Sequence, residues 1–355
     1  MDYEYQYISP EERAARRRQR EAARKARKRA KRIRMLKRNL PALLILLAVV
    51  TVVAVRGFGG ASEEEEKPQP DMPAAAPVEV IPEEPQGPYA PETAADAVAL
   101  GEEIGSQYAV VLDLSRDAII AGKGADTVIS PASMTKILTL LVAAEQVEDL
   151  EDTFTITIDI TDYSYVNECS VAGFELGETV TIRDLCYATI LPSGADGALG
   201  LAHYIAGSQE AFVELMNAKL AELGVADTAH FTNCVGIYNE EHHCTVTDMA
   251  LILKAAMEND FCRQVLSART YTTSAPEHNP EGLLLSNWFL RRIEDKDQEA
   301  MEVLGGKTGY VVESGSCAAS MAVSPEGREV ICVTADGTGS WPCIYDHVAL
   351  YEKFA

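Results

Sequence analysis

The chain has 355 residues, of which 47% are hydrophobic and 24% charged, a balance that excludes a disordered polypeptide and supplies enough apolar material for a sizeable core. Its formal net charge of -23 hides two populations: fifteen of the 31 Lys and Arg fall between Arg13 and Arg38 against five acids in the first 38 residues, so that segment carries +10 and the remainder -33. A body that acidic repels phosphate backbones, which excludes nucleic acid as the partner of everything after residue 38.

The basic segment, residues 1–38, lies beside an apolar run, so its charge is read as setting topology and meeting anionic headgroups rather than as a nucleic-acid arm. Residues 39–56 hold the sixteen uncharged residues LPALLILLAVVTVVAV and predict one transmembrane helix, a signal anchor. Lys and Arg precede it, and Glu63, Glu64, Glu65 and Glu66 follow, which places the N-terminus inside and the rest of the chain outside. A cleaved signal peptide is the alternative, since Gly59, Gly60 and Ala61 resemble a cleavage site, but the basic region is long for one. Residues 57–94 contain eight of the sixteen prolines, mixed with Glu, Ala and Gln, and predict an extended acidic linker with a reach of roughly 100 Å at about 3 Å per residue.

Residues 95–355 predict one α/β domain. YAVVLDL (108–114) and AIIAG (118–122) flank Ser115, Arg116 and Asp117 as a hairpin, and SCAASMAV (316–323) and REVICVTA (328–335) flank Pro325, Glu326 and Gly327 in the same way. Between the hairpins lie helical patterns at 134–146, 182–205 with a break near Pro192, 209–223 and 246–258, and a terminal helix is predicted at 344–354. Strands at both ends with helices between them imply a sheet assembled from distant parts of the chain. All eight cysteines lie in this domain, and no CxxC spacing occurs, which removes the usual zinc and thioredoxin-like readings. Cys234 and Cys244 bracket a polar loop and are the candidate disulfide, with buried free thiols as the alternative.

Lys136 is the anomaly of the first helix, which is apolar on almost every side from there to Glu145. A lysine so placed finds a partner or loses its proton, and Ser133, three residues earlier, shares its helical face, so the two form a candidate activated nucleophile at a helix start that favours developing negative charge. Alone, SxxK is matched about once by chance in a chain this long. Two further motifs follow: Ser193 in LPSGAD, in a turn between helical stretches, and Lys307, Thr308, Gly309 and Tyr310 in GGKTGY before the final hairpin, where the glycines suit close backbone approach and Lys307 with Thr308 suits a carboxylate. Glu240, Glu241, His242 and His243 are a weak metal candidate, better read as a solvated loop, and no GxSxG, P-loop or Rossmann pattern occurs.

In this order the motifs resemble those of the D-alanyl-D-alanine carboxypeptidases, the low-molecular-weight penicillin-binding proteins related to serine β-lactamases. The resemblance runs over residues 107–354 and includes AVVLDL, SPASMTKILT, AGFELGETVTIRDL, FVELMNAKLAELG with FTNCVGI, HHCTVTDMALI and GGKTGY. It implies a transpeptidase-like fold of penicillin-binding proteins and β-lactamases, an antiparallel sheet flanked by helices with an inserted helical subdomain. It implies a serine peptidase acting on peptidoglycan stem peptides, inhibited covalently by β-lactam antibiotics, without cofactor or metal, at a bacterial cell membrane with its catalytic domain outside the cytoplasm. Ser133 would be the nucleophile, Lys136 its base, Ser193 the proton relay, Lys307 and Thr308 the carboxylate site, and the N–H groups of Ser133 and Tyr310 the oxyanion hole. Ala195 stands where the family usually has Asn, which leaves Asp196 or water to replace the amide. A β-lactamase and a non-catalytic wall-binding protein are the alternatives.

Overall fold

The strands read as nearly continuous apolar runs because both faces of the sheet are covered. In the computed structural model, which describes residues 91–274, 279–294, 296 and 301–354, six strands form one sheet: β1 (Glu92–Ala99), β2 (Tyr108–Asp113), β3 (Ala118–Lys123), β8 (Glu302–Val311), β9 (Gly315–Val323) and β10 (Glu329–Gly337), in the order β1-β3-β2-β10-β9-β8. Every pairing is antiparallel except β1 with β3, which is parallel. The central contact, β2 against β10 from Val330↔Asp113 to Ala335↔Tyr108, joins the two predicted hairpins across more than 200 residues of chain. The basic segment, the expected membrane helix and most of the expected linker lie outside the described residues, among which no helix is long and apolar enough to cross a membrane.

Alternation along each strand feeds two cores. Val110 and Leu112 of β2, Ile331 and Val333 of β10 and Ala319 and Met321 of β9 join the larger one, with the helices that intervene between β3 and β8. These are α1 (Thr135–Gln146), α2 (Ile158–Val166), α3 (Ile182–Ile190), α4 (Ala195–Ala206), α5 (Gln209–Glu222), α6 (Val246–Glu258) and α7 (Asp260–Ser267). Two small hairpins accompany them, β4 (Thr153–Thr155) with β5 (Thr179–Thr181) and β6 (Thr270–Thr272) with β7 (Leu284–Ser286). The opposite residues, Ala109, Val111, Val330, Cys332, Ala318 and Ala322, face a second core with α8 (Leu290–Ile293) and α9 (Ser340–Phe354). Helix α9 is pinned there by a buried polar cluster in which His347 Nδ1 lies 2.7 Å from Ser320 Oγ and its Nε2 3.0 Å from Thr334 Oγ1.

Several boundaries differ from the expectations. Helix α9 starts at Ser340 rather than 344, because Pro342 sits in its first turn, where a missing N–H costs nothing. Strand β1 begins at Glu92, inside the segment read as linker to residue 94; its side chains are mostly exposed, so no alternation marked it. Helix α2, the eight-residue α7 and both small hairpins were not anticipated. None of the eight cysteines forms a disulfide. Cys234 faces the Ala198 carbonyl and Gln209 instead of Cys244, whose backbone bridges to Ile129.

Candidate active site

Ser133 lies in a single 3-10 turn, Ala132–Met134, that feeds directly into α1. The residue before it, Ala132, has φ +48°, a left-handed conformation that costs a non-glycine residue about 1–3 kcal/mol and persists only where its surroundings hold it. From Thr135 to Ala143 every residue of α1 is buried, as the all-round apolar pattern implied. Lys136 Nζ lies 3.3 Å from Ser133 Oγ and donates at 2.6 Å to the Val235 carbonyl. Burial lowers its pKa from 10.5 to about 8, so about one amine in ten is unprotonated at pH 7.

The Val235 carbonyl is aimed by Asn233. Its Oδ1 accepts the N–H groups of Val235, Gly236 and Ile237 at 3.2, 2.7 and 3.1 Å, and its Nδ2 donates to Ile237 O at 3.0 Å. Gly236, at φ +77°, packs so closely on the nucleophile's turn that a Cβ there would lie 1.9 Å from Ala132 O. Both residues belong to FTNCVGI, which entered the sequence reading only as part of a resemblance. Their one local signal is a turn-forming Asn followed three residues later by Gly.

Ser193 lies in the turn between α3 and α4 with φ +62° and is buried. Its Oγ accepts from Lys307 Nζ at 2.8 Å, and Lys307 donates also to Thr308 O at 2.7 Å. Burial first, and the nearby Lys136 charge second, push Lys307 well below the usual lysine range. Two pairs are thus assembled from three distant segments, Ser133 with Lys136 and Ser193 with Lys307. Gly309 brings the third segment in: a Cβ there would lie 2.7 Å from Cys317 Sγ and 3.1 Å from both Pro131 O and Ser133 N, so β8 runs against the turn that carries the nucleophile. Thr308 is half-buried beside it, and the Tyr310 side chain is exposed.

Ala195 is fully buried, and its N–H donates to Ser170 O at 2.8 Å. Asp196 does not supply the missing amide. Its carboxylate accepts the N–H groups of Ala172, Gly173, Phe174 and Gly197 at 2.8, 3.0, 3.3 and 3.0 Å, which ties down the chain ahead of α3. The solvated-loop reading of residues 240–243 holds for Glu240 and Glu241, which are exposed, and is corrected at His242, which is 1% exposed. One ring nitrogen lies 2.8 Å from Thr135 Oγ1, and the other accepts the Thr232 N–H at 3.0 Å, which leaves it no lone pair for a metal. His243 turns the other way, its backbone paired with His230. Among the described residues no group of three or more His, Cys, Asp or Glu is placed to hold a metal ion.

Comparison with known proteins shows the family and the fold. A sequence model described as D-alanyl-D-alanine carboxypeptidase matches residues 92–339. A D-alanyl-D-alanine carboxypeptidase of Bacillus subtilis is 26% identical over 235 residues, 66% of this chain and 58% of that protein. One from Streptomyces strain K15 is 32% identical over 216 residues, 59% of this chain and 73% of the relative. Among solved structures, a point mutant of the Streptomyces K15 DD-transpeptidase superposes with a TM-score of 0.65 at 27% identity, covering 70% of this chain and 97% of that one. A D-alanyl-D-alanine carboxypeptidase from Mycobacterium tuberculosis gives 0.63 at 26% identity, over 74% and 96% of the two chains.

Proposed function

Because the chain belongs to the D-alanyl-D-alanine carboxypeptidase family, we propose that it is a serine-type D-Ala-D-Ala carboxypeptidase that removes the terminal D-alanine from peptidoglycan stem peptides. The observation that carries this reading is the buried Lys136 amine, its pKa lowered to about 8, placed 3.3 Å from the Ser133 hydroxyl. An unprotonated amine accepts the Ser133 proton as Oγ bonds to the carbonyl carbon between the two D-alanines. The N–H groups of Ser133 and Tyr310 receive the negative charge that develops on the carbonyl oxygen. The C–N bond then breaks, and the departing amine takes a proton through Ser193, which Lys307 holds at 2.8 Å. Water hydrolyses the ester and returns Ser133.

Substrate binding follows from β8. It is the terminal strand of the sheet, and among the described residues no strand pairs beyond it, so an extended peptide can lie along it with its carboxylate at Lys307 and Thr308. A β-lactam presents the same carbonyl and carboxylate, and so acylates Ser133 as a covalent inhibitor. The apolar run at residues 39–56 anchors the chain in a bacterial cell membrane, and the proline-rich segment from residue 57 up to β1 holds the domain outside the cytoplasm.

A second reading, a binding protein that senses wall peptides without turnover, is favoured by Ala195 alone, since the buried position lacks the amide that would orient substrate. One experiment separates the two. Full-length protein is treated with a labelled penicillin, then with an acyl-D-Ala-D-Ala peptide, and Ser133→Ala is run beside it. The carboxypeptidase gives an adduct mapped to Ser133 and free D-Ala, both lost in the variant. Peptide binding without D-Ala release supports the sensor.

A further inference from the structure

The strained turn before Ser133 is held from behind by two side chains, Thr135 inside the SxxK motif and His242 far outside it. The Ala132 carbonyl accepts a hydrogen bond from Thr135 Oγ1 at 2.7 Å. A hydroxyl whose proton is committed there offers only lone pairs to its other neighbour, so His242 Nε2, at 2.8 Å, is the donor. The far side of the ring agrees: Nδ1 faces the Thr232 N–H at 3.0 Å and the Asn233 side-chain amide at 3.2 Å, both donors. Those partners fix a neutral imidazole with its proton on Nε2. The ring lies nearly parallel to Phe231, 4.7 Å between centroids and 14° between planes, and is almost wholly buried, so its orientation is set by packing as well.

Closure of the loop that carries His242 does not depend on this inward bond. His230 and His243 exchange backbone hydrogen bonds of 2.9 and 2.8 Å at its base. Asn217 clamps Phe231 independently, accepting from its N–H at 2.9 Å and donating to its carbonyl at 2.8 Å. The bond from Nε2 to Thr135 therefore points away from the loop's own stability and toward the turn of the nucleophile. Ala132 is squeezed from the other side by the backbone of Gly236, so its carbonyl has one position between the Thr135 hydroxyl and that glycine.

We propose that His242 is a positioning residue for Ser133, acting through Thr135 to hold the Ala132 carbonyl and so to keep the serine hydroxyl in line with Lys136. It never touches substrate. Its effect falls on the rate of acylation more than on the affinity of the complex that precedes it, because Lys307 is held by Ser193 and the Thr308 carbonyl rather than by a hydrogen bond to the turn. A displacement of the nucleophile by about 1 Å is enough to cost about 100-fold in rate. This inference rests on Ser133 being the acylated residue.

The test uses the full-length chain, a fluorescent penicillin, and stopped-flow measurement of the pre-covalent dissociation constant and the acylation rate constant. His242→Asn keeps an acceptor for the Thr232 N–H but cannot reach Thr135, whereas His242→Gln extends an amide donor toward Thr135. Thr135→Val keeps the shape of the side chain and removes its hydroxyl. The expected result is an acylation rate constant about 10- to 100-fold lower in His242→Asn and Thr135→Val, with the dissociation constant and melting temperature close to wild type. His242→Gln recovers most of the rate, and the double variant His242→Asn/Thr135→Val is no slower than Thr135→Val. Wild-type rates in Thr135→Val, or losses that multiply in the double variant, overturn the proposal. If His242→Asn does not fold, Thr135→Val decides alone. Absence of any Ser133 adduct in the wild type refutes the carboxypeptidase reading; a wild-type adduct with unchanged variants refutes only the role of His242.

Discussion

The burial of Lys136 makes acylation and stability respond to pH in adjoining windows, acylation below the folded-state pKa and stability above it, and the size of both effects follows from one shift. With a folded-state pKa of about 8, about one amine in ten is unprotonated at pH 7 and about one in a hundred at pH 6. The second-order rate constant for acylation by a penicillin therefore rises about tenfold per pH unit up to pH 7 and levels off above pH 8. Stability follows by linkage. The unfolded chain, with its lysine near 10.5, binds more protons than the folded one between the two values, so stability rises with pH across that window. The part due to Lys136 amounts to about 2 kcal/mol between pH 7 and pH 10. Lys136→Met, an apolar replacement of similar length, abolishes acylation and removes this part, so the gap in unfolding free energy between variant and wild type narrows in favour of wild type as pH rises. Urea denaturation at pH 7 and pH 10, with stopped-flow acylation from pH 5.5 to 9, reads both. An acylation profile that is flat over this range, or that climbs without inflection toward pH 10, would refute the assignment of Lys136 as the base.

Three further outcomes are expected. Gly236→Ala forces a Cβ to within 1.9 Å of Ala132 O at a left-handed backbone position, and lowers both acylation, by about 100-fold, and stability, by about 2–4 kcal/mol; Gly207→Ala, at the same φ of +77° in open space, costs about 1 kcal/mol in thermal or chemical melts and leaves acylation unchanged. Burial lowers the Lys307 pKa, and an arriving substrate carboxylate raises it again as a countercharge, so binding of an acyl-D-Ala-D-Ala peptide to Ser133→Ala is coupled to proton uptake and weakens as pH rises. Calorimetry in two buffers of different ionisation enthalpy measures that uptake, and a value of zero would mean the lysine does not meet the carboxylate. Ala195→Asn adds a carboxamide at a fully buried site, which costs about 1–3 kcal/mol by overpacking and raises turnover of the peptide; an unchanged rate would make the absent amide irrelevant.

What the amino-acid sequence discloses depends on how local each relationship is. Ser133 and Lys136 are three residues apart on a helix whose apolar pattern is unmistakable, and their approach was legible from spacing. The same holds for α6, whose predicted limits of 246–258 are those found, where Thr245 and Asp248 complete a capping box. Ser193 and Lys307 are 114 residues apart, and only the resemblance brought them together before the fold did. His242 sits among Glu240, Glu241 and His243, whose polarity implies a solvated loop, and its partner Thr135 lies 107 positions away. Asp196 was misjudged for a related reason: its local context is a helix start, but its carboxylate is taken by N–H groups more than twenty residues upstream. Strand β1 escaped notice because an exposed strand at a sheet edge has no buried face to impose a pattern on its residues.

The two margins of the large sheet are finished differently. On one side β1 lies along β3, and on the other Asn287 donates its side-chain amide to Gly306 O at 3.3 Å, occupying a carbonyl that a foreign chain would otherwise claim, while Phe289 leans on the same glycine. Among the described residues, the reach of β8 past that point is left open for docking. A tail of a few residues fits that stretch, whereas a long flat strand of the kind through which sheet proteins clump together would meet Asn287 and Phe289.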